Sequence, residues 1–226
     1  MISTWYDFIM HKNVNNLIAI QNLLKKKTNT EKVPQIIAVS KTFPSSDIIP
    51  LIEYGHSHFG ENKIQEAIEK WKPIKKNFQN IKLHMIGKLQ TNKVKFLFPL
   101  FDYLHSLDNL KLAKKISEHQ SQNEKKIKIF IQVNIGEESQ KVGININDLN
   151  DFYSICIKDL KLNIIGLMCL PPANENTDRY FEQMENLNKK LGLHELSLGM
   201  SNDYLDAIKY GSTYVRIGSK IFGNRS

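Results

Sequence analysis

The sequence predicts an α/β fold, a single (β/α)8 TIM barrel, and three observations support this prediction. Eight short apolar segments recur along the 226 residues, amphipathic segments with helical spacing alternate with them, and no linker rich in Pro, Gly or Ser divides the chain. Apolar strands that are each followed by a helix indicate a parallel sheet covered on both faces. Eight such units fit a closed barrel, which needs at least about 200 residues. Residues 1–226 are therefore predicted to form one domain.

The predicted elements follow one another in a regular order. A helix from about residue 2 to residue 24 comes first, because its apolar residues repeat with helical spacing. The apolar segments that predict strands are 35–40, 57–59, 82–86, 103–106, 128–134, 163–168, 195–198 and 214–217. Helices are predicted between them at 46–54, 64–72, 91–98, 109–120, 147–158, 177–191 and 203–210, with N-caps at Ser46, Asn109, Asn147 and Asn202.

An open doubly wound sheet is the alternative fold. A dinucleotide-binding sheet of that kind carries a GxGxxG turn after its first strand. The first predicted strand of this chain continues instead into Ser40-Lys41-Thr42-Phe43-Pro44, which favours the barrel.

The charge and composition exclude several classes of protein. Lys and Arg number 31 against 23 Asp and Glu, a formal charge of +8, but the lysines are scattered and only three of the 31 are arginine. Nucleic-acid-binding proteins concentrate basic residues on one face, so no nucleic-acid partner is expected; that alternative would predict steeply salt-dependent binding. No run of eighteen apolar residues and no signal-peptide layout occur, and Cys156 and Cys169 have no CxxC spacing. A cytoplasmic protein with reduced thiols and no membrane attachment is expected.

Lys41 directly follows the first predicted strand, and this position makes it a candidate reactive group. Barrel enzymes take their functional groups from the carboxyl ends of the strands. A lysine that is shielded from water there can lose its proton and form a Schiff base with a carbonyl compound. A solvated lysine that merely ends the strand would explain the position equally well.

Two loops near the end of the chain are candidates for a phosphate site, because barrels commonly bind phosphate after strands seven and eight. After strand seven, the Ser201 hydroxyl and the N–H groups that open the next helix would converge on one point. After strand eight, Gly218 would let the backbone approach an anion closely, and Ser219 would offer another donor. For either loop alone, an ordinary helix cap or glycine turn is the alternative.

A Schiff-base lysine opposite a phosphate site describes a pocket for a phosphorylated aldehyde, of which pyridoxal 5′-phosphate is the cofactor example. Arg216 points inward from strand eight in this prediction and would lie between Lys41 and the phosphate loops. A permanent cation beside the pyridine nitrogen disfavours protonation of that nitrogen, which would make the ring a weaker electron sink.

The histidines predict neither a metal site nor a catalytic residue. His56 and His58 lie on one face of a strand, but a third metal ligand is not evident nearby. His84, His105 and His194 lie in or beside strands, without a Ser or Cys nucleophile that has a partnered acid.

Several motifs occur in order between about residues 35 and 225. They are Ala38-Val39-Ser40-Lys41-Thr42, Phe59-Gly60-Glu61-Asn62 with Gln65-Glu66, His84-Met85-Ile86-Gly87 with Leu89-Gln90-Thr91-Asn92-Lys93, Gln132-Val133-Asn134, Gly166-Leu167-Met168, and Leu198-Gly199-Met200-Ser201 with Arg216-Ile217-Gly218. In these motifs the chain resembles the pyridoxal phosphate homeostasis protein family, also called the proline synthase co-transcribed homologues.

The resemblance implies a pyridoxal phosphate (PLP) barrel of fold-type III, similar to the N-terminal domain of alanine racemase. It implies that Lys41 carries PLP as a Schiff base and that the phosphate is bound by Ser201, Gly218 and Ser219. It further implies Arg216 near the ring nitrogen, Asn62 as another cofactor contact and Lys141 as a secondary lysine. Two positions depart from the family, and neither affects Lys41. Phe43 replaces a lysine that is frequent there, and Lys88 replaces the histidine of the common Gly-His-Leu-Gln motif.

The function implied by the resemblance is intracellular PLP homeostasis, in which the protein binds, stores and supplies the cofactor, with apo PLP-dependent enzymes as partners. Strong catalysis is not expected, because alanine racemase uses a second domain that supplies a tyrosine acid/base, and this chain ends at Ser226 soon after strand eight. The alternatives are a small PLP-dependent amino-acid racemase and a cofactor-free Schiff-base aldolase that uses Lys41. A closed sheet has no edge that requires a partner, so a monomer is expected.

Overall fold

A closed barrel of parallel strands forms the centre of the structure. The structure is a computed structural model that describes residues 11–28, 32–123, 125–137, 142–173 and 175–223. Each strand in these ranges pairs with the next in chain order, and the last pairs with the first. The strands are β1 (Gln35–Val39), β2 (His58–Glu61), β3 (Lys82–Met85), β4 (Tyr103–Leu107), β5 (Lys128–Val133), β6 (Ile164–Cys169), β7 (Glu195–Met200) and β8 (Tyr214–Ile217). The TIM barrel and its eight predicted strands are confirmed.

Helices alternate with the strands and cover the outside of the barrel. In the described ranges they are α1 (Lys12–Lys27), α2 (Ser45–Glu53), α3 (Ile64–Asn77), α4 (Leu97–Leu100), α5 (Leu110–Gln120), α6 (Leu149–Ser154), α7 (Asp178–Lys190), α8 (Tyr204–Ala207) and α9 (Ser219–Phe222). Helix α3 packs on the barrel through its buried face. Trp71 on this face is fully buried, and its ring centroid lies 5.0 Å from that of Phe59 on β2. The main hydrophobic core lies between the strands and these helices.

The barrel interior has a composition of its own. Side chains alternate along each strand between the outer core and the interior. A second cluster of buried residues fills the interior and consists of Ile37, Tyr103, Phe130, Met168 and Tyr214. The rings of His84 and His105 stack on this cluster, with His84 4.1 Å from Tyr103 and His105 4.3 Å from Phe130. TIM-barrel interiors are usually filled by branched aliphatic residues, so this interior is unusually rich in aromatic and imidazole rings.

The N-terminal helix α1 joins the first and last parts of the barrel. The amide of Asn13 donates to the carbonyl of Asp47 on α2 at 3.1 Å, and the amide of Asn16 donates to the carbonyl of Ile221 on α9 at 2.9 Å. The predicted helix from about 2 to 24 falls partly on residues 1–10, which lie outside the described residues. In the described ranges, no helix combines the length and apolar character needed to cross a membrane.

The boundaries of several predicted helices differ from the structure. Segment 91–98 begins as a 3-10 helix, and segment 147–158 divides into a 3-10 turn, α6 and a π turn that ends at Asp159. Asn109 caps α5 as predicted, because its side chain accepts the N–H of Leu112 at 2.8 Å. The predicted caps at Ser46, Asn147 and Asn202 are wrong, because those helical segments begin after Pro44, Asn145 and Asp203 instead.

Candidate functional site

A cavity of about 1120 Å³ opens at the carboxyl ends of the strands. The residues that line it follow β1, β2, β3, β6, β7 and β8, so loops far apart in the sequence meet there. Six of the residues singled out from the sequence line this cavity: Lys41, Asn62, Ser201, Arg216, Gly218 and Ser219. The structure therefore brings the candidate lysine, the candidate phosphate loops and the candidate ring contact into one pocket, and their roles stay predictions.

The turn that carries Lys41 is held on both sides by charged side chains. On one side, Lys70 of α3 donates to the carbonyl of Ser40 at 2.9 Å. On the other side, the carboxylate of Glu66 accepts the N–H of Thr42 at 2.6 Å. Thr42 has a φ of 68°, a left-handed conformation that costs energy for a β-branched residue. These contacts stabilise the strained turn and fix the backbone from which Lys41 enters the cavity.

Glu61 connects this turn to the outer core. Its carboxylate is fully buried, and Oε1 accepts from the Ser40 hydroxyl at 2.8 Å, from Trp71 Nε1 at 2.9 Å and from Lys70 Nζ at 3.1 Å. Lys70 also bridges to Glu66 at 3.1 Å, so one ammonium group lies between two carboxylates. A buried carboxylate needs such partners, because an unpaired charge in the core is very costly. In the sequence, Glu61 and Glu66 stand out only as parts of a motif, and no local signal indicates this network.

The loops after β7 and β8 are joined at the candidate phosphate site. The N–H of Gly218 donates to the Ser201 hydroxyl at 3.3 Å. Gly199 has a φ of 83°, and a Cβ there would lie 2.7 Å from the backbone of Tyr204, so the close approach of this loop requires glycine. The following helix α8 (Tyr204–Ala207) continues as a 3-10 helix over Ile208–Tyr210, so the predicted helical segment 203–210 is helical except for its first residue.

Gly218 and Ser219 present open backbone to the cavity. The first hydrogen-bonded N–H of the turn α9 belongs to Ile221, so the N–H groups of Ser219 and Lys220 precede any bond within the turn. A Cβ on Gly218 would lie 3.4 Å from Val39, an ordinary contact, and the φ of Gly218 is −113°. Protein packing therefore does not itself demand glycine at 218, a position that lines the cavity. Open N–H groups of this kind are the donors that an anionic group binds.

Arg216 lies deep in the cavity and is only 4% exposed. Its Nη1 donates to the carbonyl and to the hydroxyl of Ser197, the latter at 2.6 Å, and Nη2 donates to the carbonyl of Cys169 at 2.9 Å. Burial lowers the pKa of the guanidinium, but an arginine side chain keeps its charge in proteins. The contacts leave further N–H groups of this fixed cation for a ligand.

Asn62 reaches the cavity from the end of β2, and the neighbouring loop packs tightly on it. A Cβ on Gly87 would lie 2.3 Å from the carbonyl oxygen of Asn62, so the two backbones approach more closely than any residue other than glycine would allow.

The two positions that depart from the family pattern lie in different surroundings. Phe43, in the turn that carries Lys41, stacks on Phe222 with ring centroids 4.8 Å apart. The departure at position 43 therefore links the lysine-bearing turn to α9. The other departure, Lys88, is exposed, and Lys141 lies outside the described residues.

Two features of the cavity were missed from the sequence. The loop after β6 forms one wall through Leu170, Pro171 and Pro172. The sequence does contain a signal for this loop, because a Pro-Pro pair marks a turn or loop. The cavity lining contains four carboxylates in addition to the cations Lys41 and Arg216. These carboxylates belong to Glu175, Asp178, Asp203 and Asp206.

The histidines form an ordered set of contacts instead of isolated rings. His56 Nε2 lies 2.8 Å from the carbonyl oxygen of His58, while His58, His84 and His105 are linked ring to ring in the barrel interior. His194 is exposed. No group of three or more His, Cys, Asp or Glu side chains with metal-binding geometry occurs among the described residues.

Comparison with known protein sequences gives consistent matches over nearly the whole chain. A family model described as alanine racemase, N-terminal domain, matches residues 16–226. Curated proteins named pyridoxal phosphate homeostasis protein include one from Pasteurella multocida, 34% identical over 91% of this chain and 93% of its own length. Another, from Haemophilus influenzae, is 33% identical over 92% of each chain.

Comparison with solved structures agrees with the sequence matches. PipY of Synechococcus elongatus without PLP superposes with a TM-score of 0.86 at 30% identity, over 94% of this chain and all of that chain. The same protein with PLP bound superposes with a TM-score of 0.83 at 29% identity, over 93% of this chain. Alanine racemase from Corynebacterium glutamicum, at 14% identity and a TM-score of 0.68 over 94% of this chain and 61% of its own, shares the fold.

Proposed function

The chain belongs to the pyridoxal phosphate homeostasis protein family, and on this premise we propose that it binds PLP and acts in intracellular PLP homeostasis. One observation carries the proposal: a single cavity combines an inward lysine, a fixed guanidinium and two joined serine-glycine loops. These are the groups needed to hold an aldehyde, a pyridine ring and a phosphate together. A PLP-bound structure of PipY, a solved relative, supports the choice of ligand.

Six of the lining residues would contact the cofactor directly. The Nζ of Lys41 holds the cofactor covalently as a Schiff base. The Ser201 and Ser219 hydroxyls and the N–H groups of the turn after Gly218 bind its phosphate, and Asn62 contacts the ring from β2. Arg216 faces the ring nitrogen and keeps it unprotonated, because two positive charges at hydrogen-bond distance repel each other. Bound PLP would supply an electron sink, and Arg216 would weaken that sink.

The clamp formed by Glu61, Lys70 and Glu66 positions Lys41 for capture of the aldehyde. It holds the backbone on both sides of the lysine, so less backbone freedom is lost when the lysine is bound. The carboxylates near the cavity oppose the binding of an anion in general, which makes the local donors of the phosphate loops decisive for affinity.

We also propose that the protein carries PLP without strong turnover. Among the described residues that line the cavity there is no His, Cys or Tyr, and no side chain with an ordinary pKa near neutrality. Racemisation at a substrate Cα requires a second proton-transfer group that faces Lys41 across the ring, and we propose that no lining side chain serves as one. A cytoplasmic location, a monomeric state, the absence of nucleic-acid and membrane partners, and delivery of PLP to apo enzymes belong to the same proposal.

Absorption spectra with borohydride reduction and peptide mapping test the cofactor site. The PLP-loaded protein should be yellow, lose that colour on reduction, and carry a pyridoxyl group on the Lys41 peptide. Lys41→Ala should abolish the adduct, while Lys88→Ala, at an exposed lysine outside the cavity lining, should retain it. A protein that takes up no PLP, or one labelled only at other lysines, would refute the proposed site.

A second experiment separates storage from catalysis. The loaded protein is incubated with single-enantiomer alanine or serine, and the enantiomeric ratio is followed. A ratio that stays constant while an apo PLP-dependent enzyme regains activity on mixing supports storage and supply. Turnover at an enzymatic rate would instead establish the racemase alternative.

A further inference from the structure

A chain of side-chain hydrogen bonds crosses the barrel interior and ends at Arg216. His58 Nδ1 lies 2.9 Å from His84 Nε2, and His84 Nδ1 lies 2.9 Å from His105 Nε2. The chain continues from His105 Nδ1 to the Ser197 hydroxyl at 2.9 Å, where Arg216 Nη1 donates at 2.6 Å. Its members come from β2, β3, β4, β7 and β8, so the chain spans the barrel from the start of β2 to the cavity.

The three imidazoles of this chain are neutral at physiological pH. His84 and His105 are fully buried, and burial, followed by the charges of neighbouring groups, holds the pKa of each well below its ordinary value. Burial and the nearby ammonium groups of Lys82 and Lys128 lower the pKa of His58 to about 4, against the opposing charge of Asp102. A neutral imidazole has one donor nitrogen and one acceptor nitrogen, so each link of the chain contains one proton.

Arg216 sets the direction of these protons. A guanidinium group can only donate, so the Ser197 oxygen accepts from Arg216. His105 Nδ1 is the other partner of this hydroxyl in the described part of the chain, and it therefore accepts the hydroxyl proton. Each imidazole then carries its proton on Nε2. His105 Nε2–H donates to His84 Nδ1, and His84 Nε2–H donates to His58 Nδ1. The reverse order would leave the buried Ser197 proton without an acceptor, which is costly.

We propose that His105 and His84 are positioning residues of the cofactor cavity: their linked tautomers hold the Ser197 hydroxyl as an acceptor and thereby fix the guanidinium of Arg216. The carbonyls of Ser197 and Cys169 anchor Arg216 from fixed backbone, whereas a serine hydroxyl is free to rotate. The imidazole chain removes that freedom. The inference rests on the proposed function for its ligand, PLP, while the chain itself can be measured without any ligand.

Nitrogen NMR on the ligand-free protein, with labelled histidine and arginine, tests the chain directly. At neutral pH, His58, His84 and His105 should all appear as Nε2–H tautomers, and the Arg216 guanidinium should give slowly rotating, dispersed signals. Assignment of His84 or His105 as the Nδ1–H tautomer, or as an imidazolium, would overturn the proposed direction of the chain.

Three variants then test whether the chain acts on Arg216. Ser197→Ala and His105→Phe should each collapse the dispersed Arg216 signals and weaken PLP binding roughly tenfold. Their double variant should be no worse than either alone, because both break one chain. Tyr103→Phe is the matched control, since Tyr103 is a buried interior ring that stacks on His84 at 4.1 Å without a link in the chain. It should leave the Arg216 signals and the affinity unchanged.

A rescue variant separates positioning from packing. His105→Asn places an amide oxygen near the former Nδ1, where it can accept the Ser197 proton, and should restore the Arg216 signals that His105→Phe loses. Unchanged Arg216 signals in His105→Phe, or equal loss in Tyr103→Phe, would refute the positioning role. If the wild-type protein binds no PLP but the Arg216 signals respond as described, the proposed function fails and the chain stands.

Discussion

Mild acid should destabilise this protein through its buried histidines, and His56 makes a contribution that a single substitution can isolate. His56 is 7% exposed, and its Nε2–H donates to the carbonyl of His58 at 2.8 Å. Burial lowers the pKa of His56 from 6.5 to about 4, and the neighbouring His58 adds to this effect, while the hydrogen bond to the carbonyl opposes it. The folded protein therefore resists a proton that the unfolded chain accepts readily. Stability from this source is complete above pH 6.5 and is lost as the pH falls toward 4.

The size of the effect follows from the two pKa values. At pH 5 an imidazole with a pKa of 6.5 is almost fully protonated, whereas one with a pKa of about 4 is roughly one-tenth protonated. The difference in proton binding corresponds to a loss of about 2 kcal/mol in the free energy of unfolding between pH 7 and pH 5. Glu66 and Asp102, whose pKa values are also lowered, contribute only at lower pH, because their ordinary values are 4.5 and 3.8.

Urea unfolding of the wild type and of His56→Gln, measured at pH 7, 6 and 5, isolates this contribution. The glutamine amide can donate to the same carbonyl and does not titrate. Trp71, fully buried against Phe59, supplies a fluorescence signal for the global transition. The wild type should lose about 2 kcal/mol more than His56→Gln between pH 7 and pH 5. Parallel curves for the two proteins, or a folded-state titration of His56 near pH 6.5, would contradict the reasoning.

The remaining predictions concern backbone space, the clamp and the thiols. Gly199→Ala should destabilise the fold by more than about 2 kcal/mol in urea unfolding, because its φ is 83° and its Cβ would meet backbone at 2.7 Å. Gly218→Ala should leave the unfolding curve nearly unchanged but weaken PLP binding in a spectroscopic titration, since its Cβ makes only ordinary contacts with protein. Glu66→Ala removes the acceptor of the Thr42 N–H and should slow borohydride-trapped PLP capture at the turn after β1. Wild-type capture kinetics in that variant would show that the clamp is dispensable. Cys156 and Cys169 should react with a thiol reagent at pH 8 only after denaturation, because burial raises the pKa of each to about 12.

Much of the architecture and part of the site follow from the sequence by itself. Apolar runs and helical spacing are local properties, so the eight strands and their order could be predicted before any contact was known. The position of Lys41 at the end of β1 and the glycine- and serine-containing loops after β7 and β8 are local as well. Parallel strands place all their carboxyl ends on one face of a barrel, which is why these residues were expected in one pocket.

The tertiary structure alone decided which polar residues contact one another. The links of the interior chain join residues 26, 21 and 92 positions apart, and nothing in the local pattern around His58, His84 or His105 distinguishes a linked imidazole from a solvated one. Helix ends such as those of α6 and α8 likewise depended on packing, because the last turn of a helix gains little from its own hydrogen bonds. Local periodicity thus determined where strands and helices lie, whereas the closure of the barrel determined the partners of every inward side chain.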